Sequence, residues 1–510
     1  MDDRMRAVCD LMVPSVREMA GLHQYDGRVQ DLSPEGVRAG LAALRRARRD
    51  GGTLADPQDE AHLSVFEETL RVQLGELELH RRDPYLHLSN LELTAYDREY
   101  APAEERARAR RQHLAAWPDA VDGAIASLDL LSAPVAQALL GAVRGLTADL
   151  DPAGGPEVTA ALRAHERLVA HMARAAEFGD PDPTLGGAAL AALMGSQEGV
   201  PLDLSALAER ADAERDRLVQ LLADACRDLD PSRSVAELVP ELLGDHPDAD
   251  QVVAETARLT DEVLEFTRER RLAPHLDGTC LVGIAPPSRR WSSAMMTWAG
   301  PEEPEAPSWY HLTPPEPDWP EEERREWLQN FSRTTLPAVT VHEVAPGHYA
   351  HGRSLRRAPT PVRRVLHSLS FCEGWAHYAE EVCLEEGFRR HDPRFAVGVA
   401  LEALTRVTRL YCAIGLHTGA MDVAEATRRF MTDAHLSHAA AAAEARRGTF
   451  DAAYGRYTWG KLEILELRSR ARDRWGARFS LERFHTALLN LGSPPLGLLD
   501  AALDDPAPDA

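Results

Sequence analysis

The sequence predicts a mainly α protein: a multi-helical chain around a cleft, with a small antiparallel β-sheet ahead of the helix that carries the chemistry. Three observations predict it. Apolar residues recur at three- and four-residue intervals through most of the 510 residues, the period of a helix with one buried face. Ala, Leu, Arg and Glu are abundant while aromatics make up only 6%, a mixture that favours helix. Only residues 278–313 depart from this pattern, with short β-leaning apolar runs.

Residues 1–270 read as a succession of helices, with periodic stretches at 36–49, 60–80, 103–117, 119–146, 157–177 and 204–227. Ser33-Pro34-Glu35 offers a cap followed by Pro at the first helical position. Asp151-Pro152, Gly154-Gly155 and Asp180-Pro181-Asp182-Pro183 break the series. There is no fixed-period repeat, which argues against a solenoid. Thr279–Ile284, Ala294–Trp298 and Ser308–Leu312 are the expected strands. Residues 301–320 hold seven prolines, which bar helix and central strand and predict an ordered surface loop. Helical pattern returns from Glu321, over 333–352, 361–386, 396–416, 421–447, 455–476 and 480–491. Three regions follow: 1–270, helical and covering the cleft; 271–499, with the sheet and the chemistry; and 500–510, a frayed acidic tail.

The formal net charge is −24, which repels a polyanion and argues against a nucleic-acid partner. Arg45–Arg49 and Arg106–Arg111 sit in helical patterns with acids nearby and read as solvated faces. Of the 57 basic residues only Lys461 is lysine. It marks a place where a compact ammonium differs from a planar guanidinium, or a chance survivor of a coding bias. The six cysteines form no C-x-x-C pair, so reduced thiols and a cytoplasmic protein are expected. The N-terminus has no apolar h-region and no run of 18 apolar residues occurs, so neither a secretory signal nor a membrane helix is expected. Oligomeric state is left open.

The most informative stretch is Thr340-Val341-His342-Glu343-Val344-Ala345-Pro346-Gly347-His348. It is similar to the zincin arrangement, in which two His of one helix bind zinc and the Glu acts on a water. The standard spacing between the two His is four residues; here it is six. On a straight helix six residues turn a side chain by roughly 240° and advance it about 9 Å, too far for bonds of about 2.0–2.1 Å to one ion. Pro346-Gly347 supplies a break, since Pro removes a donor and Gly admits unusual φ. The expectation is a kink that returns His348 beside His342. Glu373, 25 residues after His348, is the expected third ligand. His377, one turn on, is either a supporting partner or a rival ligand.

His-Glu-x-x-Pro-Gly-His followed by Glu-Gly-Trp-x-x-Tyr-x-Glu (373–380) resembles the DUF885 family of bacterial proteins, regarded as zincin-like metallopeptidases. The resemblance extends over most of the chain. Gly21-Leu22-His23-Gln24-Tyr25-Asp26-Gly27-Arg28 is similar to the family's N-terminal signature, and Arg409-Leu410 with Gly415-Leu416-His417 to a later helix. Tyr457-x-x-Gly460 with 462–468, then Phe484-His485 and Pro494-Pro495-Leu496, resemble its closing segments. There are departures: Ala413 stands where Asp is usual, Asp451-Ala452-Ala453 where Pro-Gly-Gln is usual, and Tyr349 where His is common.

The function expected is a zinc-dependent hydrolase of peptide or amide bonds in small peptides, holding one Zn²⁺ per chain on His342, His348 and Glu373. Glu343 is the expected general base. Tyr457 and His485, with His417 behind them, are the expected oxyanion donors. The alternatives are a metal-dependent enzyme acting on a non-peptide metabolite and a non-catalytic helical binding protein. A carboxylate-bridged di-metal bundle would need paired Glu-x-x-His motifs that the sequence lacks.

Overall fold

Short polar side chains set the helix starts. Ser33, Asp56, Asp203, Ser368, Asp422 and Ser437 each accept a hydrogen bond from a backbone N–H of the first turn, which satisfies donors that a helix end leaves open. The computed structural model describes residues 1–504 apart from Pro287, Ser288, Trp291 and Pro304. Within them the chain is mainly helical, and the expected periods become helices, except that 119–146 parts between Ser127 and Ala133, 361–386 parts between Val365 and Leu369, and two further stretches differ. Helix Ala103–Ser127 runs straight through Pro118, because Trp117 and Val121, both fully buried, hold both sides of the proline in one apolar core. The stretch 421–447 divides into Val423–Asp433 and His438–Phe450, since Ser437 caps the second piece and His435 takes a positive φ of 57°.

The three strands lie where expected: β1 (Cys280–Ile284), β2 (Ala294–Thr297) and β3 (Ser308–Leu312). The antiparallel sheet expected from sequence is corrected to a mixed one. The order is β1-β3-β2, with β1 parallel to β3 and β2 antiparallel to it. The expectation that 301–320 holds no central strand is corrected too: residues 308–312 are free of proline between Pro307 and Pro314, so β3 can bond on both sides and enters between the other two strands. Of the acidic tail, residues up to Asp504 belong to a 3₁₀ helix, Leu496–Asp504, that buries Leu499, Ala502 and Leu503; residues 505–510 lie outside the described residues.

Apolar side chains gather in three main clusters. One joins residues 5–74 to Val362, Val365 and Leu366, and a second spans 88–172. The largest runs from Leu190 to Leu503 and takes in the sheet through Tyr310 and Leu312. In it Leu204–Leu229 packs along Arg394–His417, and Leu369–Glu385 along Arg456–Trp475. The second pair approaches backbone to backbone. A Cβ at Gly374 would lie 2.5 Å from Gly460 backbone, and one at Gly460 2.0 Å from the Ser370 carbonyl oxygen. These two glycines bring Glu373 and Tyr457, one residue before and three before them, to the same side of the molecule. Among the described residues no helix is long and apolar enough to cross a membrane.

Candidate metal centre

The helix that begins at Leu336 ends at Glu343, and a new helix, His348–Leu355, starts four residues after Val344. The link is compact. The Gly347 N–H donates to the Val341 carbonyl at 3.2 Å and the Ala350 N–H to the Val344 carbonyl at 3.1 Å, so the second helix is stitched onto the end of the first. Pro346 follows a cis peptide. Gly347 is required for room rather than for unusual φ: its φ is −67°, but a Cβ there would sit 1.9 Å from the His342 carbonyl oxygen. Trp375 donates its indole N–H to the Pro346 carbonyl at 2.8 Å, which ties the break to the helix of Glu373.

The break returns His348 to His342. Their ring centroids are 4.8 Å apart and nearly perpendicular. Glu373 Oε2 lies 3.5 Å from His342 Nε2 and 3.4 Å from His348 Nε2, and ligand atoms of the three fall within 4.8 Å of one another. Two imidazoles and one carboxylate are the donor set of a catalytic zinc site. Ligand atoms about 2.0–2.1 Å from a tetrahedral ion are about 3.3–3.4 Å from each other, so the observed separations fit. Electrostatics agree. Burial opposes charge on Glu373, yet His348 and His342 hold its carboxyl well below the usual carboxylate range. Burial and Arg406 oppose a proton on His342, yet Glu373 and Glu380 raise it to about 9. The cluster attracts positive charge at the point where the three side chains converge.

Glu380 and Arg406 are the residues that sequence reading missed. His342 donates from Nδ1 to Glu380 Oε1 at 2.6 Å, and Arg406 donates from Nη1 to Glu380 Oε2 at 3.0 Å. Glu380 has no accessible surface; burial opposes its charge, and Arg406 and His342 overcome that to hold it ionised. With Nδ1 bonded to Glu380, Nε2 is the nitrogen that faces Glu373 and that a metal would take in place of a proton. Glu380 is seven residues after Glu373 on one helix, two turns along the same face, and that spacing was the available signal.

Glu343 ends its helix 8% exposed, and among the described residues its carboxylate takes no hydrogen bond or ion pair. It faces the sheet: burial, with the Glu343 charge adding to it, pushes the Cys280 thiol on β1 up to about 12. Tyr457 stacks against His342 at 6.5 Å between ring centroids. His485 stands apart from this group. Its Nδ1 donates to the Leu272 carbonyl at 2.7 Å and its Nε2 accepts from the Tyr378 hydroxyl at 3.0 Å; it braces Trp375 from behind at 5.1 Å. His417 is likewise spent, on the Gly448 carbonyl and the Leu185 N–H. His377 is buried 3.7 Å from Glu380 Oε2 and outside the ligand cluster.

Fold and site together define a mainly helical protein with a His-His-Glu cluster at a helix break. The chain belongs to the family described as "Bacterial protein of unknown function (DUF885)", whose model matches residues 14–503. Two solved structures share the fold. One is described as a "putative lipoprotein of unknown function" from Shewanella oneidensis, 18% identical, with 98% of each chain covered and a TM-score of 0.78. The other, a "putative lipoprotein" from Colwellia psychrerythraea, is 17% identical, with 99% of each chain covered and a TM-score of 0.78. No curated protein matches the chain.

Proposed function

We propose that this protein is a zinc-dependent hydrolase that cleaves a peptide or amide bond in a small substrate, in the manner of zincin-like metallopeptidases. The observation that carries the reading is the approach of His342 Nε2 and His348 Nε2 to Glu373 Oε2, at 3.5 and 3.4 Å, across a break in the helix, with a carboxylate that is unpaired among the described residues, Glu343, adjacent in sequence to His342. A zinc ion bound by these three side chains would supply Lewis-acid polarisation of a carbonyl and a water of lowered pKa.

The protein's own groups have distinct tasks. Glu343 takes the proton of the attacking water and returns it to the leaving amine; its freedom from hydrogen bonds keeps it available as a base. Tyr457, whose ring stacks on His342, donates from its hydroxyl to the oxygen on which negative charge develops. Glu380 and Arg406 keep His342 in one tautomer and one orientation. His485, committed to Leu272 and Tyr378, supports the break and has no part in proton transfer. The test pairs elemental analysis with turnover of a dipeptide library. About one zinc per chain and hydrolysis that Glu343→Gln abolishes while retaining the metal are expected. Full activity in a metal-free preparation, or in Glu343→Gln, would overturn the reading.

A further inference from the structure

Beside the cluster the chain sets two guanidiniums over one ring and a third next to it in the chain. The Arg409 guanidinium lies 5.1 Å from the centroid of Tyr457 and that of Arg447 6.0 Å. Arg447 Nη2 also donates to the Tyr457 hydroxyl at 3.4 Å. Arg456, next to Tyr457 in the chain, shares Asp451 with Arg447, and Arg409 forms a two-pronged pair with Glu444. Arg447 and Arg456 are thus paired to Asp451 and Arg409 to Glu444, with the Glu198 charge acting on Arg456 and the Glu402 charge on Arg409.

Donor capacity is left over on two of these arginines. Arg447 spends Nε and Nη2 and Arg409 spends Nε and Nη2 on protein acceptors, while Nη1 of each has no partner among the described residues. The neighbouring surface is accessible. Tyr85 keeps 50% of its surface accessible although Asp451, Arg447 and Arg456 lie close enough for their charges to act on its hydroxyl. Tyr85 thus leaves an opening to solvent beside residues 447–456. A guanidinium with a free edge in such an opening suits a carboxylate, whose two oxygens match its planar fork.

We infer that Arg447 and Arg409, held on Tyr457, receive the free carboxylate of a short peptide whose scissile bond lies at the His342–His348–Glu373 cluster. The path from His342 through Tyr457 to either guanidinium is at most about 12 Å, which an extended chain of about three residues spans. The substrate class is therefore di- to tripeptides with an unblocked C-terminus. The identity of the reacting bond rests on the hydrolase reading above; the carboxylate pocket does not.

The test separates the two. Binding of Ala-Ala-Ala and of its C-terminal carboxamide is measured by calorimetry on zinc-loaded Glu343→Gln protein, which cannot turn them over under the reading above. The free acid is expected to bind at least tenfold tighter, and Arg447→Gln or Arg409→Gln to bring the two peptides within about threefold of each other, with Arg447→Lys intermediate because it keeps charge but loses the fork. Equal affinity for acid and carboxamide, no binding of either, or a preference that survives in folded Arg447→Gln/Arg409→Gln protein would overturn the pocket. Hydrolysis by the unmodified protein without acid preference defeats the pocket and spares the hydrolase; acid preference in binding without hydrolysis does the reverse. Should the arginine variants fail to fold, the acid-to-carboxamide ratio on the intact pocket still decides.

Discussion

His342 and Glu380 are joined by a 2.6 Å hydrogen bond from Nδ1 to Oε1 in the interior of the protein. The bond fixes which imidazole nitrogen is left to face Glu373 and His348, and Arg406 fixes Glu380 in turn. Such a partner raises ligand basicity and locks ring orientation. Glu380→Gln is therefore expected to weaken zinc binding roughly 10–100-fold, read by competition with a chelator. Unchanged affinity in a folded variant would remove Glu380 from the account of the site.

Gly347 is the tightest point of the break. A methyl group there meets the His342 carbonyl oxygen at 1.9 Å, and a backbone oxygen in the last turn of a helix has little freedom to retreat. Gly347→Ala is expected to cost roughly 3 kcal/mol or more of stability and to separate His348 from His342, so that zinc is lost from protein that still folds. Denaturant unfolding with metal analysis checks both effects. Wild-type stability with full zinc content would show that the break tolerates a side chain.

Lys461 sits without accessible surface between Glu214 Oε1 at 2.7 Å and Glu381 Oε2 at 2.8 Å, and Arg217 bridges the same two carboxylates from the other side. The lysine lies next to the Gly374–Gly460 contact, where there is no spare volume. Here the ammonium is distinguishable from a guanidinium. Lys461→Arg is expected to lose about 1–3 kcal/mol through overpacking, and Lys461→Met more, about 3–5 kcal/mol, because two buried carboxylates then share one cation. Equal stability of Lys461→Arg would make the lysine an accident of composition.

His23 gives the N-terminal signature a measurable pH dependence. Its Nε2 lies 3.1 Å from Glu303 and its Nδ1 3.2 Å from Asp26. Burial lowers its affinity for a proton, but Asp26 and Glu303 more than reverse this and raise it to about 9. A histidine whose folded value exceeds its unfolded value of about 6.5 contributes stability that is fully present below pH 6.5 and lost as pH rises through 9. The melting-temperature gap between the wild type and His23→Gln is expected to shrink from pH 6.5 to pH 9.5, by the equivalent of on the order of 2 kcal/mol after allowing for partial exposure. A gap constant with pH would show that His23 is not the charged partner of Glu303.

The helices and the three strands were readable from period and composition, because amphipathic faces and β-leaning runs leave marks in local sequence. The convergence of His342, His348 and Glu373 was readable because a six-residue spacing brings the two His together only if Pro346-Gly347 breaks the helix. What could not be read depends on contacts between distant segments. Strand order turned on how the Pro-rich segment returns β3 between β1 and β2. The use of Gly347 turned on a carbonyl oxygen five residues earlier coming within 1.9 Å of a Cβ. His485 was a plausible donor by residue type, and only its bonds to Leu272 and Tyr378 show that both nitrogens are engaged. Arg406 lies 26 residues from Glu380 and 64 from His342, with no local pattern to connect them.

The most direct measurement is anomalous diffraction at the zinc edge from crystals grown with zinc. One strong peak within about 2.0–2.2 Å of His342 Nε2, His348 Nε2 and a Glu373 oxygen is predicted. No peak at these side chains in zinc-saturated crystals, or a peak held by other residues while the three are left empty, would contradict the account.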